Sequence, residues 1–277
     1  MSRTTVITNF YNDEYLLPWW VKQHREMFDD AILIDWNSTD NSVGEIKKHA
    51  PASWKIVKKR NLPLHQEYAS MCEEQDLEVM QYEAGITGWR ICLNTTEFMV
   101  GDLESQTRDD EPKNGHHVHT LKIYGWNPEG QMSHDVPLWD QQYMGIDCRC
   151  GKHAEHRSGR SLHNFTGSYG IGRHLAKPDL HNICRKLLLL HYGECLTSPQ
   201  MIKRRLQIQN GLTQKDRRAG MGWHHIGDEK HMKNCAMQYI PELSDVRPVL
   251  RALQQDGYAP PCNPHCSETE WNVLYRP

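Results

Sequence analysis

The feature that most constrains the fold is an alternation of short apolar runs with amphipathic segments in the N-terminal third of the chain. The apolar runs lie at 5–8, 31–34, 54–57 and 89–93. Runs this short are typical of strands that are buried on both faces of a parallel sheet. The segments between them predict helices at 13–27, at a stretch ending near 49, and at 67–83. Repeated strand–helix–strand units predict an α/β protein with a doubly wound sheet.

Polar clusters follow three of the four predicted strands, at 9–14, 35–40 and 94–98. In a parallel sheet the carboxyl ends of the strands meet at one edge, and ligands bind beyond that edge. Three such clusters in register predict a site for a hydroxyl-rich ligand. Asn, Asp, Ser and Thr also cap helices and shape turns, so a purely local role for each cluster stays open.

The second half of the chain contains fewer periodic segments. The charged stretch 102–116 predicts a surface loop, and the alternation at 117–126 predicts a strand. Between 127 and 176 the sequence is rich in Gly, His and aromatic residues, which predicts a loop-rich half. Further on, the sequence predicts a buried strand that ends at His191, a helix behind the N-cap Ser198, and a C-terminal helix that stops at Gly257.

Charge and hydropathy exclude several classes of function. The chain has 32 Lys and Arg residues and 35 Asp and Glu residues, which give a formal charge of −3. Nucleic-acid-binding domains are usually basic, so this charge argues against binding of nucleic acid. We find no apolar run whose length approaches the ~18 residues that a membrane-spanning helix needs. The chain begins with a strand-like segment and not with the apolar core of a signal peptide. These features predict a cytoplasmic protein.

Nine cysteines at irregular spacings predict reduced thiols in such a compartment. Cys148 and Cys150 precede two histidines, and Cys262 and Cys266 flank His265. If these two clusters met in space they could hold a structural zinc ion, although the first pair is one residue closer than the usual spacing. A zinc-binding interaction module is therefore one alternative for the function.

Several motifs in this order resemble the glycosyltransferase family 2-like proteins, which have a GT-A fold. The first is the stretch from Asn9 to Trp20, which is similar to an N-x-x-E strand end followed by L-P-x-W. The second, from 32 to 42, resembles D-x-x-S-T-D. The third, 94–98, matches the position of D-x-D-E-F, and an H-Y pair at 191–192 precedes a capped basic helix.

This resemblance implies a Rossmann-like, mostly parallel sheet flanked by helices in a domain spanning 1–230. The nucleotide-binding half would cover about 1–100 and a loop-rich acceptor half about 101–230, with a C-terminal helix and tail at 231–277 packed on the same domain. The implied activity is transfer of a sugar from a nucleotide-diphosphate sugar to a hydroxyl group on a glycan or glycolipid acceptor.

The resemblance also implies which residues bind the donor. The nucleotide pocket would be lined by Thr8, Asn9, Glu14, Asp35, Asn37, Ser38 and Asp40. Asn94, Thr96 and Glu97 would lie beside the ribose and diphosphate. Arg173 and His174 are further candidates for contact with the diphosphate, and His191 would contact either the diphosphate or a metal ion.

One departure from the family pattern concerns the divalent cation. Asn94 and Thr96 stand where the family has two aspartates, which leaves only Glu97 with a negative charge. Mg²⁺ and Mn²⁺ prefer carboxylate oxygens, so three alternatives stay open. The protein could use Arg160, Arg173 or the basic run 203–205 in place of a metal, hold a weak metal through Glu97 and His191, or bind sugar nucleotides or glycans without catalysis.

An inverting transfer needs a general base for the proton of the acceptor hydroxyl. The candidates are Asp135, Asp140, Asp147 and Glu194. We favour Asp140 because it follows Trp139, and an aromatic ring beside a carboxylate suits a sugar-stacking site. Asp140 and Glu97 are thus the two predicted catalytic carboxylates.

Overall fold

The computed structural model confirms the α/β class and the alternation of elements in the N-terminal third. It describes residues 2–60, 70–108, 115–125, 132–149, 159–169, 172–174, 176–177, 182–196, 198–222 and 225–260. The first elements in chain order are β1 (Thr4–Phe10), α1 (Leu17–His24), β2 (Asp30–Asp35), α2 (Ser42–His49), β3 (Lys55–Lys58), α3 (Met71–Glu83) and β4 (Trp89–Cys92).

These first four strands form a parallel unit in the order β3-β2-β1-β4. Phe10 at the end of β1 pairs with Asp35 at the end of β2, and Asp35 pairs with Lys58 at the end of β3. Cys92 at the end of β4 pairs with Ile7 of β1. The polar clusters that follow β1, β2 and β4 therefore emerge at one edge of the sheet, as the sequence predicts.

The second half extends this sheet with mixed pairings. Its strands are β5 (Glu97–Gly101), β6 (Gly115–Ile123), β7 (Met144–Asp147), β8 (Arg160–His163), β11 (Asn182–His191) and β12 (Ser244–Asp245), and a separate hairpin comprises β9 (Ser168–Tyr169) and β10 (Ala176–Lys177). Strand β8 lies antiparallel between β4 and β6, whereas β11 is parallel to β6 and antiparallel to β5.

The helices of this half are α4 (Leu103–Gln106), α5 (Leu138–Gln141), α6 (Pro199–Gly211), α7 (Gln214–Arg218), α8 (Glu229–Met237) and α9 (Arg247–Asp256). Ser198 caps α6 by accepting a hydrogen bond from the Met201 amide, and α9 ends at Gly257 with a φ of 72°. Both boundaries agree with the sequence signals. None of the helices in the described ranges is long and apolar enough to cross a membrane.

Some predicted boundaries differ from those observed. Helix α1 begins at Leu17 and not at 13, because the Asp13 carbonyl accepts hydrogen bonds from the Leu16 and Leu17 amides in a turn. Helix α3 begins at Met71, where Ser70 accepts from the Glu73 amide as N-cap. The short helix α4 occupies part of the predicted surface loop, whose residues 109–114 lie outside the described residues. The second predicted zinc cluster, at 262–266, also lies outside them.

Helix α1 joins the parallel unit to the turn after β4. The Trp20 side chain is fully buried, and its indole N–H lies 3.2 Å from the Asn94 carbonyl oxygen and 3.0 Å from that of Glu97. His24, one turn later, is also fully buried. Its Nδ1 lies 2.9 Å from the Trp20 carbonyl, and its Nε2 accepts a hydrogen bond from the Met99 amide at 3.0 Å. The ring is therefore neutral, with its proton on Nδ1.

Stability should fall as the pH drops below the ordinary pKa of histidine. Burial lowers the pKa values of His24 and His119 from 6.5 to about 3. Below pH 6.5 these two histidines bind protons in the unfolded chain but stay neutral in the native state. At pH 5 this difference lowers the free energy of unfolding by about 2 kcal/mol for each histidine. We expect urea midpoints to fall from pH 7 to pH 5, and His24→Gln to shrink that fall. A midpoint that is constant over this range would contradict the neutral, buried rings.

Candidate functional site

A cavity of about 890 Å³ opens at the carboxyl edge of the parallel strands. Residues after β1, β2 and β4 line one side, and residues of α3 and α6 line the opposite side. Strands β8 and β11 contribute Arg160 and His191. The cavity thus lies where the strand order predicts a ligand site.

The structure brings together twelve of the residues that the sequence singled out for donor binding or catalysis. Those that line the cavity are Asn9, Asn37, Asn94, Thr96, Glu97, Arg160, Arg173, His174, His191, Glu194, Arg204 and Arg205. The remaining nine are not among its described lining residues: Thr8, Glu14, Asp35, Ser38, Asp40, Asp135, Asp140, Asp147 and Lys203. Asp140 is exposed on α5, outside the cavity.

Several of the remaining residues build the turns behind the cavity. Asp35 accepts a hydrogen bond from the Ser38 amide at 2.8 Å, and Ser38 Oγ accepts one from the Asn12 amide. Asp40 accepts from the amides of Glu14 and Ser42. These contacts are the local turn and capping roles that the sequence left open for this cluster.

Glu97 is held by an ion pair inside the sheet. Arg160 donates Nε to one carboxylate oxygen at 2.8 Å and Nη2 to the other at 2.7 Å. The Asn94 amide adds a third hydrogen bond at 2.8 Å, and a further Arg160 N–H donates to the Gly172 carbonyl. Burial alone would raise the pKa of Glu97, but the charge and hydrogen bonds of Arg160 outweigh it and lower the pKa to about 2. Glu97 is therefore an anion whose two oxygens are both engaged.

These residues do not fit a dedicated site for a divalent cation. The described residues contain no group of three or more His, Cys, Asp or Glu side chains placed to hold a metal ion. Burial lowers the pKa of His191 to about 4, so its ring is a neutral imidazole at pH 7. The carboxylates whose charges act on His191 are Glu97 and Glu194, and they already accept hydrogen bonds from Arg160 and Arg205. Hard cations such as Mg²⁺ and Mn²⁺ need several free oxygen ligands.

Arg173 is a buried cationic side chain of the cavity wall that has unused hydrogen-bond donors. Its residue is 5% exposed, its Nη2 donates to Asn94 Oδ1 at 3.1 Å, and its Nη1 lies 3.5 Å from Asp76 Oδ1. Its Nε is buried and makes no hydrogen bond within the described chain. The φ of Arg173 is +58°, an unfavourable angle for a non-glycine residue and one that clusters at functional sites.

The formal charges of the described lining residues cancel. The acidic lining residues are Asp13, Glu74, Asp76, Glu97 and Glu194, and the basic ones are Lys59, Arg160, Arg173, Arg204 and Arg205. On α6, Arg204 donates to Asp13 at 2.6 Å, and Arg205 donates to Glu194 at 2.5 Å. Lys203, the residue before Arg204, is exposed and is not among the described residues that line the cavity. Anion recognition here must therefore come from directed hydrogen bonds and not from an excess of positive charge.

Sequence reasoning missed the contribution of α3 to the cavity. Gln75 and Asp76 line it because the start of α3 packs near α6 and α7. The carboxylate of Asp216 in α7 accepts hydrogen bonds from Ser70 Oγ at 2.5 Å and from the Met71 amide at 2.9 Å. No local signal around α3 indicates this packing. Asp13, in contrast, belongs to the polar cluster after β1 and could have been chosen.

Comparisons with known proteins find distant structural similarity and no similarity by sequence. No protein-family profile matches the chain, and no curated protein matches it by sequence. Among solved structures, glucosyl-3-phosphoglycerate synthase from Mycobacterium tuberculosis in complex with Mg²⁺ and uridine diphosphate is 12% identical, with a TM-score of 0.34 over 59% of this chain and 56% of that one. Its complex with phosphoglyceric acid is 10% identical, with a TM-score of 0.31 over 44% of each chain.

This chain therefore spans less than half of that last structure. The molecule belongs to the class of mixed α/β proteins with a mostly parallel central sheet flanked by helices. The two similar structures described above are both of this synthase, and one of them contains uridine diphosphate.

We expect the Glu97–Arg160 pair to be a strong determinant of stability. Arg160→Met leaves a buried carboxylate without its partner, which costs about 3–5 kcal/mol. The double variant Arg160→Met with Glu97→Gln should recover part of that loss. Urea unfolding measures both, with Arg108→Met as the control because its pair with Glu104 is exposed and contributes about 1 kcal/mol or less. A cost for Arg160→Met equal to that of the control would contradict the pairing.

Proposed function

We propose that this protein is a glycosyltransferase that moves a sugar from a nucleotide-diphosphate sugar to a hydroxyl acceptor without a resident divalent cation. The observation that carries the proposal is the turn from Asn94 to Glu97 at the edge of the parallel sheet. This turn lines the cavity, and Arg160 binds the Glu97 carboxylate. The Asn94 side chain accepts a hydrogen bond from Arg173, which has further donors without a partner. An arginine thus stands beside the position where the resembling family has metal-binding aspartates.

The nucleoside would lie over the ends of β1 and β2. Asn9 lines the cavity there, and both polar atoms of its amide are buried without a hydrogen-bond partner in the described chain. A nucleobase edge or a ribose hydroxyl would satisfy these atoms. Trp36 offers a ring nearby, held by a hydrogen bond from its indole N–H to Glu78 at 3.0 Å and by Lys59, whose Nζ lies 4.9 Å from the ring centroid.

The diphosphate would lie against Arg173. A guanidinium binds phosphate oxygens through a planar set of donors, and charge-assisted bonds of this kind are roughly twice as strong as neutral ones. His174 stands next to it, and the positive charge of Arg160 lowers the pKa of His174 to about 4. That imidazole is neutral at pH 7, so it would act as a hydrogen-bonding group and not as a cation.

In the transfer, the acceptor oxygen forms a bond to the anomeric carbon while the bond from that carbon to the diphosphate oxygen breaks. The electron pair of the broken bond leaves with the diphosphate, and the acceptor proton passes to a base. Of the four carboxylates considered from sequence, Glu194 lines the cavity, and we assign it this role in place of the exposed Asp140. Burial would raise the pKa of Glu194, but Arg205 outweighs that effect and lowers it, so the carboxylate is ionised at pH 7.

A second candidate function is binding of sugar nucleotides or glycans without turnover. The contact that favours it is the 2.5 Å hydrogen bond between Arg205 and Glu194. A carboxylate with a lowered pKa is a weaker general base. The two candidates differ in turnover and not in nucleotide binding.

Calorimetry with UDP, GDP and dTDP, each in EDTA and in Mn²⁺, tests the proposal. We expect one nucleotide to bind with the same affinity in both conditions. Arg173→Ala should weaken that binding by about 10–100-fold, since it removes charge-assisted hydrogen bonds. The matched control is Arg25→Ala, because Arg25 is an exposed arginine at the C-cap of α1. Binding that appears only with Mn²⁺ would overturn the metal-independent mechanism, and no binding in any condition would overturn the function.

Turnover separates the enzyme from the binder. With the donor identified, Glu194→Gln should lower kcat by about 100–10,000-fold while the nucleotide Kd changes little. Asp140→Asn is measured beside it, because the sequence favoured that residue as the base. Loss of turnover with Asp140→Asn alone would return the role to Asp140. Tight nucleotide binding by a wild-type protein that releases no product with any acceptor would favour the binder.

A further inference from the structure

The side of the cavity opposite the strand ends has a composition of its own. We call it the helical wall, and it comprises the α3 and α6 side chains Met71, Gln75, Met201, Gln207, Ile208 and Asn210. The two helices approach closely at Gly211, where an added Cβ would lie 2.8 Å from Met71 Sδ. None of these six residues is charged, and the charged residues that the same helices bring to the cavity are Glu74, Asp76, Arg204 and Arg205. Asp76 is paired with Arg173, Arg204 with Asp13 and Arg205 with Glu194.

Three amide side chains of the helical wall are available to a ligand. Gln75, Gln207 and Asn210 make no side-chain hydrogen bond to any described part of the chain. The Oε1 atom of Gln207 is moreover buried without a partner. A buried acceptor that stays unpaired costs about 1–3 kcal/mol. A ligand with hydroxyl groups would supply the missing donor, and amides both donate to and accept from hydroxyls.

Apolar surface lies between these amides. Met71 and Ile208 are partly exposed to the cavity, and Met201 is buried at its base. Thioether and branched aliphatic side chains offer an adaptable apolar surface. Amides placed beside such a surface suit a molecule with hydroxyl groups around a C–H face, which is the character of a sugar ring or a cyclic polyol.

The charges near the helical wall do not favour an anion. Arg204 and Arg205 of α6 are paired with Asp13 and Glu194, at 2.6 and 2.5 Å. Glu74 of α3 also lines the cavity, and it adds a negative charge on this side. An acceptor with a phosphate or carboxylate group would therefore meet no unpaired cation on the described helical wall and would be repelled by Glu74.

We infer that the helical wall is an acceptor subsite that selects an uncharged polyhydroxyl compound over a phosphorylated or carboxylated one. Gln75, Gln207 and Asn210 are its specificity-determining residues, and the sugar or polyol lies with its C–H face on Met71 and Ile208. The inference rests on the proposed function, because the bound compound is the acceptor of that reaction.

Pairs of polyhydroxyl ligands in which only one member carries an anionic group test this inference. The probes are methyl glucoside against glucuronic acid, and myo-inositol against inositol phosphate. Ligand-observed NMR on the full chain, with and without the nucleotide found by calorimetry, measures binding. We expect a neutral member to bind and its anionic partner to bind at least about 10-fold more weakly. Tighter binding of the anionic members, or binding of none of the four, would overturn the inference.

Variants locate the effect on the helical wall. Gln207→Leu keeps a similar volume and should weaken binding of the neutral probe by about 10-fold. Gln207→Lys should reverse the preference toward the anionic member of the pair. Gln214→Leu, an exposed glutamine on α7 outside the described lining, is the control. A Gln207→Leu effect no larger than that of Gln214→Leu would overturn the assignment.

The two proposals fail in different ways. If a nucleotide binds but the neutral probes do not, the acceptor inference fails and the proposed function stands. If no nucleotide binds, the proposed function fails. The measurement without nucleotide then still reports whether the helical wall takes a neutral polyol in preference to an anion.

Discussion

The buried ion pair between Glu97 and Arg160 organises the site. It joins the start of β5 to the start of β8, two strands of the second half that flank the parallel unit's site edge through the 94–97 turn. The turn that carries Glu97 is held on its other side by Trp20 of α1. An unpaired charge at this depth would be costly, which keeps both partners in place. The same contact occupies the carboxylate that would otherwise be available to a cation.

Helix α6 completes the cavity from the second half of the chain. Arg204 reaches Asp13 in the turn after β1 and donates to Thr95 Oγ1 at 3.0 Å, in the middle of the altered motif. The loops at the strand edge and the helical wall are thereby fixed relative to each other. Because each arginine of α6 has a carboxylate partner, the cavity combines many donors and acceptors with no net formal charge.

Local patterns were sufficient for the elements of the parallel half and for the start of α6. Buried apolar runs marked β1 and β2, and a serine followed by a proline marked the start of α6. Polar residues after the strands were harder to interpret. Asn9 and Asn94 face the cavity, whereas Asp35 and Asp40 shape turns, yet all four are short polar residues in the same kind of cluster. Which residue faces a ligand depends on turn geometry that spacing alone does not define.

The sequence by itself determined the α/β class, the edge of the sheet at which the site lies, and the presence of Asn94 and Thr96, in place of carboxylates, in the turn after β4. These follow from periodicity and residue chemistry within short windows of the chain. Only the tertiary structure decided that Arg160 binds Glu97, that Arg173 keeps a free donor, and that α3 lies beside α6 at the cavity. Those contacts join residues tens of positions apart, and packing and charge pairing select them only once the chain has folded.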